Sequence, residues 1–214
     1  MADKKQVKKF VTPEGRLVWG HLFEKEAGTF NGKPAVPAYK VQMAFELDAL
    51  KDLIDEVYTL AQATWGNVEL DIDGGTVATP FKDGDEEKAK KESRGKKGDA
   101  FAGKIVFSAK TIYNSEGQDA PGGIEAYLPD LSKADLATRG EFYNGCMGQA
   151  AITMGIYTDN NGKPGINFYL AAFQQTGDSE RLFAQTDHSS LFTARGGAVG
   201  RTAAAPAGRR VRKG

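Results

Sequence analysis

The segment "YKVQMAFE" (39–46), followed directly by "LDALKDLIDEVYTLAQATWG" (47–66), determines the architecture of the chain because its hydrophobic period changes midway. Apolar and polar residues alternate through the first part. This alternation predicts a half-buried strand whose polar face carries Lys40 and Gln42. In the second part the apolar residues recur at helical spacing. The sequence therefore predicts a strand that leads into an amphipathic helix.

The predicted helix has recognisable ends. Asp48 is expected to cap its N-terminus, and Gly66 is expected to end it. One stripe of apolar residues should pack on the core of the protein. That stripe consists of Leu50, Leu53, Ile54, Val57, Leu60 and Ala61.

Four other segments are predicted to be strands. "RLVWGHLFE" (16–24) is rich in β-branched and aromatic residues and is expected to be buried on both faces, and "FAGKIVFSAKTIY" (101–113) alternates. "CMGQAAITMGIY" (146–157) and "INFYLAAFQQT" (166–176) should form a hairpin, since the pair Asn161-Gly162 between them can take positive φ.

Two segments are predicted to be loops. "AGTFNGKPAVPA" (27–38) is punctuated by glycine and proline, and residues 68–99 are charged and glycine-rich, with a short helical turn expected at "EEKAKKE" (86–92). Five strands, one helix and long loops indicate a mainly β fold. The leading interpretation is an OB-fold, a five-stranded barrel with an inserted α-helix, and a β-sandwich is the alternative.

The charges are unevenly distributed along the 214 residues, although the chain has 28 basic and 28 acidic side chains. Residues 188–214 contain six basic residues and no acidic one, which leaves residues 1–187 with a net charge of −6. We therefore expect an OB-fold domain over 1–187 and a disordered, flexible basic tail over 188–214. Such a tail suits binding to a polyanion, and a merely solubilising tail is the alternative.

The sequence offers little for catalysis. Asp83 and Asp85 belong to an acidic cluster that fits a solvated loop better than a metal site. His21 is expected to be a packed core histidine, and Cys146 a small buried residue. We therefore expect no enzyme, no cofactor and no metal. A single cysteine fits a reducing cytoplasm, and no apolar run is long enough to span a membrane.

Binding to single-stranded nucleic acid requires cations for the phosphates and flat side chains on which bases stack. The predicted strands and the tail supply both. Taken alone, each of these aromatic residues fits the core better than a stacking platform, and each lysine fits a solvated face better than a DNA contact. The candidate nucleic-acid-binding residues are Arg16, Trp19, Tyr39, Lys40, Gln42, Lys104, Lys110, Tyr113, Tyr157, Tyr169, Arg209, Arg210, Arg212 and Lys213.

The chain resembles the phage and prophage single-stranded-DNA-binding proteins from about residue 10 to 183. The most specific matches are "PFKDGDE" (80–86), "EFYNGC" (141–146) and the segment around "YTDNNGKPGI" (157–166). The resemblance implies an OB-fold that coats single-stranded DNA during replication and recombination in the cytoplasm of the infected bacterial host. It implies no catalytic motif. The basic C-terminus departs from the acidic tail with which many such proteins recruit partners.

The leading hypothesis is thus a sequence-independent single-stranded-DNA-binding protein. Its tail would add electrostatic contact and could bind duplex DNA, while phage replication proteins and a second copy of the chain are further candidate partners. The alternative is a structural or assembly module with a basic arm, and a third option is a metal-dependent nuclease using Asp83 and Asp85. If Trp19 and Tyr169 stack bases, their replacement should weaken binding more than stability.

Overall fold

The computed structural model describes residues 9–30, 33–70, 75–112, 123–159 and 161–182. Tyr113 and the predicted tail at 188–214 lie outside these ranges. The described chain contains eight strands and two α-helices. They are β1 (Lys9–Val11), β2 (Gly15–Phe30), β3 (Lys33–Phe45), α1 (Lys51–Trp65), β4 (Phe81–Asp83), α2 (Gly84–Glu92), β5 (Ile105–Thr111), β6 (Glu125–Tyr127), β7 (Met147–Thr158) and β8 (Pro164–Gly177).

Five of these strands close into a barrel. β2 pairs with β3, β3 with β5, β8 with β7, and β7 with β2, all antiparallel. The ring is completed by a parallel pairing of β5 with β8 at Ala109 and Phe168. This closure is that of a five-stranded OB barrel, so the OB prediction is confirmed and the sandwich alternative is wrong.

Aromatic rings fill the barrel. The rings of Phe45 and Phe107 stack with centroids 5.2 Å apart, and Phe168 meets Phe107 edge-on at 5.5 Å. Phe81 of β4 packs edge-on against Phe168, also at 5.5 Å. These four side chains are at most 2% exposed, so the inner face of the barrel is a dry aromatic core.

The predicted helix is present as α1. Leu53, Val57 and Ala61 are buried in the same cluster as the barrel core, with the rest of the predicted stripe buried or partly buried beside them. Gly66 ends the helix with φ +82°, as predicted. The prediction for Asp48 is wrong: it lies inside a 3₁₀ turn over Leu47–Leu50 that precedes α1, and no side chain caps either start.

Both predicted loops contain regular structure. Residues 27–30 continue β2 and residues 33–38 begin β3, and the two segments form a long paired arm in which Gly28 lies opposite Ala35. The charged segment contains α2, which Asp83 caps by accepting hydrogen bonds from the backbone N–H groups of Asp85 and Glu86 at 2.7 and 3.1 Å. Within the described residues, no helix is long and apolar enough to cross a membrane.

Candidate nucleic-acid interface

The outer surface of the barrel presents two rows of side chains that cross β2, β3 and β5 in register. In an OB barrel, the face of the second and third strands, here β3 and β5, binds oligonucleotides together with the loops between strands 1–2 and 4–5. The six residues, called the binding face below, are Trp19, Gln42 and Ser108 in one row and His21, Lys40 and Lys110 in the other.

Two cations of the binding face lie next to each other. Lys40 and Lys110 are directly opposed on adjacent strands, where Cβ atoms are about 5 Å apart and like charges are destabilising. Lys110 is exposed, and among the described residues no carboxylate lies within ion-pairing distance of it. The sheet therefore holds positive charge that an incoming anion can neutralise.

Glu26 balances part of this charge. Its carboxylate forms an ion pair with the Lys40 ammonium, and its Oε1 lies 3.7 Å from His21 Nε2. Partial burial alone would raise the pKa of Glu26. The hydrogen bond and charge of Lys40, the nearby His21 and a hydrogen bond from Trp19 outweigh burial and lower that pKa. Glu26 is thus ionised and interacts with three members of the binding face, Lys40, His21 and Trp19.

Lys91, near the C-terminal end of α2, lies above the first row. Its Nζ is 5.7 Å from the ring centroid of Trp19 and 5.6 Å from that of Phe101, which are cation–π distances. The Trp19 ring also lies 5.5 Å from the His21 ring, at a tilt of 52°. Trp19 is therefore half-buried between a cation and an imidazole.

Two tyrosines of the β7–β8 hairpin are more open. Tyr157 is 39% exposed and Tyr169 is 46% exposed. Each ring crosses a glycine of the neighbouring strand: a Cβ at Gly165 would lie 2.4 Å from the Tyr157 ring, and one at Gly155 would lie 2.4 Å from the Tyr169 ring. Because only glycine leaves room there, the rings can lie against the sheet and turn a face to solvent.

The surface formed by Tyr157 and Tyr169 adjoins the binding face. β5 pairs with β8 at Ala109 and Phe168, whose side chains point into the barrel. The next residues of the two strands, Lys110 and Tyr169, therefore point outward side by side. A cation and an aromatic ring are thus neighbours at the junction of β5 and β8.

The remainder of the same outer surface is covered. Val18, Ala44 and Val106 continue the outward rows of β2, β3 and β5 and pack under Phe101, from the segment that follows α2. All four are at most 4% exposed. The segment over residues 84–101 thus covers one half of the outer surface and leaves the binding face open.

The structure separates several predicted residues from this group. Tyr39 is 6% exposed in the core, so the expectation that it stacks bases is wrong. Arg16 donates hydrogen bonds to the carbonyl oxygens of Glu180 at 2.7 Å and Gly145 at 3.4 Å, so it ties two loops to β2. Lys104 forms an ion pair with Glu46.

Lys104 also lies far from Lys110. The two are six residues apart along β5, which corresponds to about 20 Å. The cations of the tail, Arg209, Arg210, Arg212 and Lys213, and the ring of Tyr113 lie outside the described residues. The structure thus brings together Trp19, Lys40, Gln42, Lys110 and Tyr169, with Tyr157 on the adjoining hairpin.

Three members of the site were missed from the sequence. His21 was expected in the core because its strand was taken as buried on both faces, yet its side chain is 33% exposed. Its position two residues after Trp19 was the available signal, since both then share one face. Glu26 and Lys91 gave no such signal, because only the fold brings them to these strands.

The residues considered for catalysis have structural roles in the fold. Asp83 caps α2, and Asp85 accepts a hydrogen bond of 2.9 Å from the N–H of Gly103. Cys146 is fully buried, and this burial raises the pKa of its thiol to about 12. Asp159 closes the β7–β8 turn by accepting from the N–H groups of Asn161 and Lys163, and only Gly162 of the predicted pair has positive φ.

A closed five-stranded barrel with cations and aromatic rings on this face has the architecture of an oligonucleotide-binding OB protein. Residues 8–199 match the family described as "Enterobacter phage Enc34, ssDNA-binding protein", and the chain belongs to this family. The resemblance in the sequence is therefore confirmed.

Solved structures agree with the fold. The single-stranded DNA-binding protein from bacteriophage Enc34 in complex with ssDNA is 19% identical, with a TM-score of 0.60 over 82% of this chain and 89% of that chain. The C-terminal truncation of the same phage protein is 18% identical, with a TM-score of 0.59 over 81% and 87%. No curated protein matches the chain.

Proposed function

We propose that this protein binds single-stranded DNA, without sequence preference, across the binding face and the adjoining tyrosines. The observation that carries this proposal is the cross-strand pair of Lys40 and Lys110 beside Tyr169. Phosphates would meet the two ammonium groups, and bases would stack on the exposed ring. Duplex DNA buries its base faces, so stacking of this kind selects single strands.

The charge distribution supports a local site. Residues 1–187 have a net charge of −6, so the composition of this part of the chain does not supply a broad cationic surface. Binding must then depend on cations that the fold concentrates, as it does on β3 and β5. The predicted tail at 188–214 would act as a second, sequence-independent cationic arm and could bind duplex DNA as well.

The biological role follows from family membership. We propose that the protein coats and protects single-stranded DNA during phage replication and recombination, inside the infected host cell, as a binding protein without catalytic activity. Phage replication proteins and further copies of this chain are the partners that such coating would bring into contact. Residues 1–187 would form the DNA-binding domain.

The test is fluorescence anisotropy of a labelled oligo-dT and a matched duplex across a salt series. The full chain is compared with a chain that ends at Asp187, after circular dichroism has shown that both are folded. We expect the shorter chain to retain its preference for oligo-dT while its salt dependence and duplex affinity fall. If shortening abolishes all binding, the barrel is not a single-strand binder and an assembly role becomes the better proposal.

A pair of lysine variants tests the location. Lys110→Gln should lower the slope of log K against log salt by about 0.7, since one phosphate contact is lost on a single strand. Lys104→Gln makes the same charge change at the other end of β5, where the lysine is paired with Glu46. Equal effects of the two variants would contradict a site on the binding face.

A further inference from the structure

The charged residues around α2 and in the turn after it separate into two groups, although basic and acidic residues are mixed in the sequence. Three lysines, Lys82, Lys88 and Lys90, pair with carboxylates of the helix, the shortest contact being 3.0 Å between Lys90 and Glu86. The second group has no carboxylate within ion-pairing distance among the described residues. This group, called the cationic turn below, consists of Lys91, Arg94, Lys96 and Lys97.

The cationic turn is conformationally fixed. The N–H of Gly95 donates to Glu92 O at 2.9 Å and the N–H of Lys96 donates to Lys91 O at 3.0 Å, which together form a Schellman motif. Gly95 has φ +69°, the left-handed conformation that this motif requires and glycine tolerates. Arg94 and Lys96 therefore project from a defined turn on either side of Gly95.

The cationic turn borders the binding face. Lys91 contacts the rings of Trp19 and Phe101, and Phe101 in turn covers Val106 on β5. The turn thus stands where the covered half of the outer surface ends and the binding face begins. The pKa of Lys91 is lowered, first by burial and then by the nearby charges of Lys96, Arg94 and Lys40, while the carboxylate of Glu87 acts in the opposite direction.

We propose that the cationic turn is the second wall of the single-stranded-DNA site and binds the phosphodiester backbone opposite Lys40 and Lys110. This inference rests on the proposed function. It assigns a ligand to the four basic residues of the cationic turn, for which the fold alone gives no role. Unpaired like charges repel one another, and a chain of phosphates relieves that repulsion. The strand would then run between α2 and the open face of β3 and β5, with its bases directed towards Tyr169.

The experiment uses two double variants of the full chain with the same change in net charge. Arg94→Gln/Lys96→Gln removes two cations of the turn, and Lys88→Gln/Lys90→Gln removes two paired lysines of the same helix. Binding of a fluorescein-labelled oligo-dT of about 16 nucleotides is measured by anisotropy from low to high salt. Thermal melting by circular dichroism accompanies each variant.

For the turn variant we expect the salt slope to fall by about 1.4 and the affinity at 0.1 M salt to fall on the order of tenfold, because two phosphate contacts are lost. The paired-lysine variant should keep the wild-type slope. Lys91→Met, which retains the aliphatic cover over Trp19 and Phe101, should lower the slope by about 0.7 with an unchanged melting temperature.

The outcomes separate the two proposals. If the wild type does not bind oligo-dT, the proposed function fails. If the wild type binds and both double variants keep its slope, or both lose it equally, the cationic turn does not contact the DNA and this inference alone is wrong. If a turn variant melts early, Lys91→Met decides between the same two outcomes.

Discussion

The outer surface of β2, β3 and β5 consists of two halves built on the same three strands. In the covered half, Val18, Ala44 and Val106 lie under Phe101. In the binding face, one to four residues away along each strand, polar, charged and aromatic side chains are at least partly exposed. The β3–β5 pairing continues without interruption through both halves, whereas β2 has a bulge between them. The difference shows that the position of α2 and its following turn decides which part of the sheet remains open as the proposed site.

Truncation of Phe101, which covers Val18, Ala44 and Val106, should affect stability more than any other substitution at this surface. Phe101→Ala should lower the free energy of unfolding by about 3 kcal/mol, because a buried phenyl ring leaves a cavity over Val18 and Val106. This corresponds to a fall in melting temperature of about 6–12 °C for a chain of this length. Urea unfolding followed by circular dichroism measures the free energy, and differential scanning calorimetry measures the melting temperature.

Leu136→Ala is the control for that variant. Leu136 is 80% exposed, and its truncation should change the free energy of unfolding by less than about 0.5 kcal/mol. If Phe101→Ala were as mild as this control, the segment after α2 would be only loosely attached, and the distinction between the two halves would collapse.

The strongly periodic parts of this architecture were predictable from the sequence. α1 has a complete apolar stripe, and the β7–β8 hairpin has two alternating segments around a turn with glycine, so both were predicted correctly. The alternating segment at 101–113 contains β5 over Ile105–Thr111, although Val106 on its outer side is buried. Local periodicity identifies such elements because each requires only its own residues.

The arm formed by residues 27–30 and 33–38 shows why another part was not predictable. Pro34 and Pro37 argue against a strand, since proline cannot donate to a ladder. Both prolines are tolerated because β3 pairs with β5 only from Tyr39 onward. Before Tyr39, β3 pairs with β2 and not with β5, so this part of β3 is an edge strand. Whether a proline lies on an edge is a property of the assembled sheet.

The candidate site shows the same limit more strongly. The segment "EKAKKESRGKKGD" holds basic and acidic residues together, so composition predicts a solvated charged loop. Only the helix separates the paired lysines, Lys88 and Lys90, from the unpaired Arg94 and Lys96. Likewise the core position of Tyr39 and the exposed one of Tyr169 follow from closure of the barrel, which no single strand encodes.

The second prediction compares two tyrosines of similar exposure in different regions. Tyr169 on β8 is 46% exposed, and Tyr58 on α1 is 40% exposed. Tyr169→Ala should weaken binding to oligo-dT by about 1–3 kcal/mol, the range expected for loss of one stacked base, with little change in stability. Anisotropy titrations at fixed salt measure the affinity, and thermal melts measure the stability.

Tyr58→Ala should leave the affinity for oligo-dT unchanged, since α1 packs on the core away from the open strands. Gly155→Ala provides a second test of Tyr169, because the added Cβ must displace the Tyr169 ring. That variant should reproduce part of the binding loss while Tyr169 itself is retained. If Tyr58→Ala weakened binding to oligo-dT as much as Tyr169→Ala, the loss of affinity would depend on the exposure of the tyrosine and not on its location.

The smallest and most discriminating prediction concerns Glu26, the carboxylate that makes the binding face less cationic. In the free protein it pairs with Lys40, and DNA must exchange a phosphate for this partner. Glu26→Gln should therefore strengthen binding to oligo-dT by up to about fivefold, the equivalent of one partly exposed ion pair. Glu24→Gln makes the same charge change on the same strand at an exposed carboxylate and should have a smaller effect.

Stability should respond to Glu26→Gln in the opposite direction from binding. The pKa of Glu26 is lowered in the folded protein, so its ion pair stabilises the fold above the ordinary carboxyl pKa, and this stabilisation is lost as pH falls through the lowered value. Glu26→Gln should thus melt slightly earlier than the wild type at pH 7, and this difference should disappear as the pH falls through the lowered pKa of Glu26. Weaker binding together with lower stability would instead mean that Glu26 positions Lys40 and Trp19 for DNA. Opposed signs would identify Glu26 as a carboxylate that stabilises the free protein and gives way to phosphate when DNA binds.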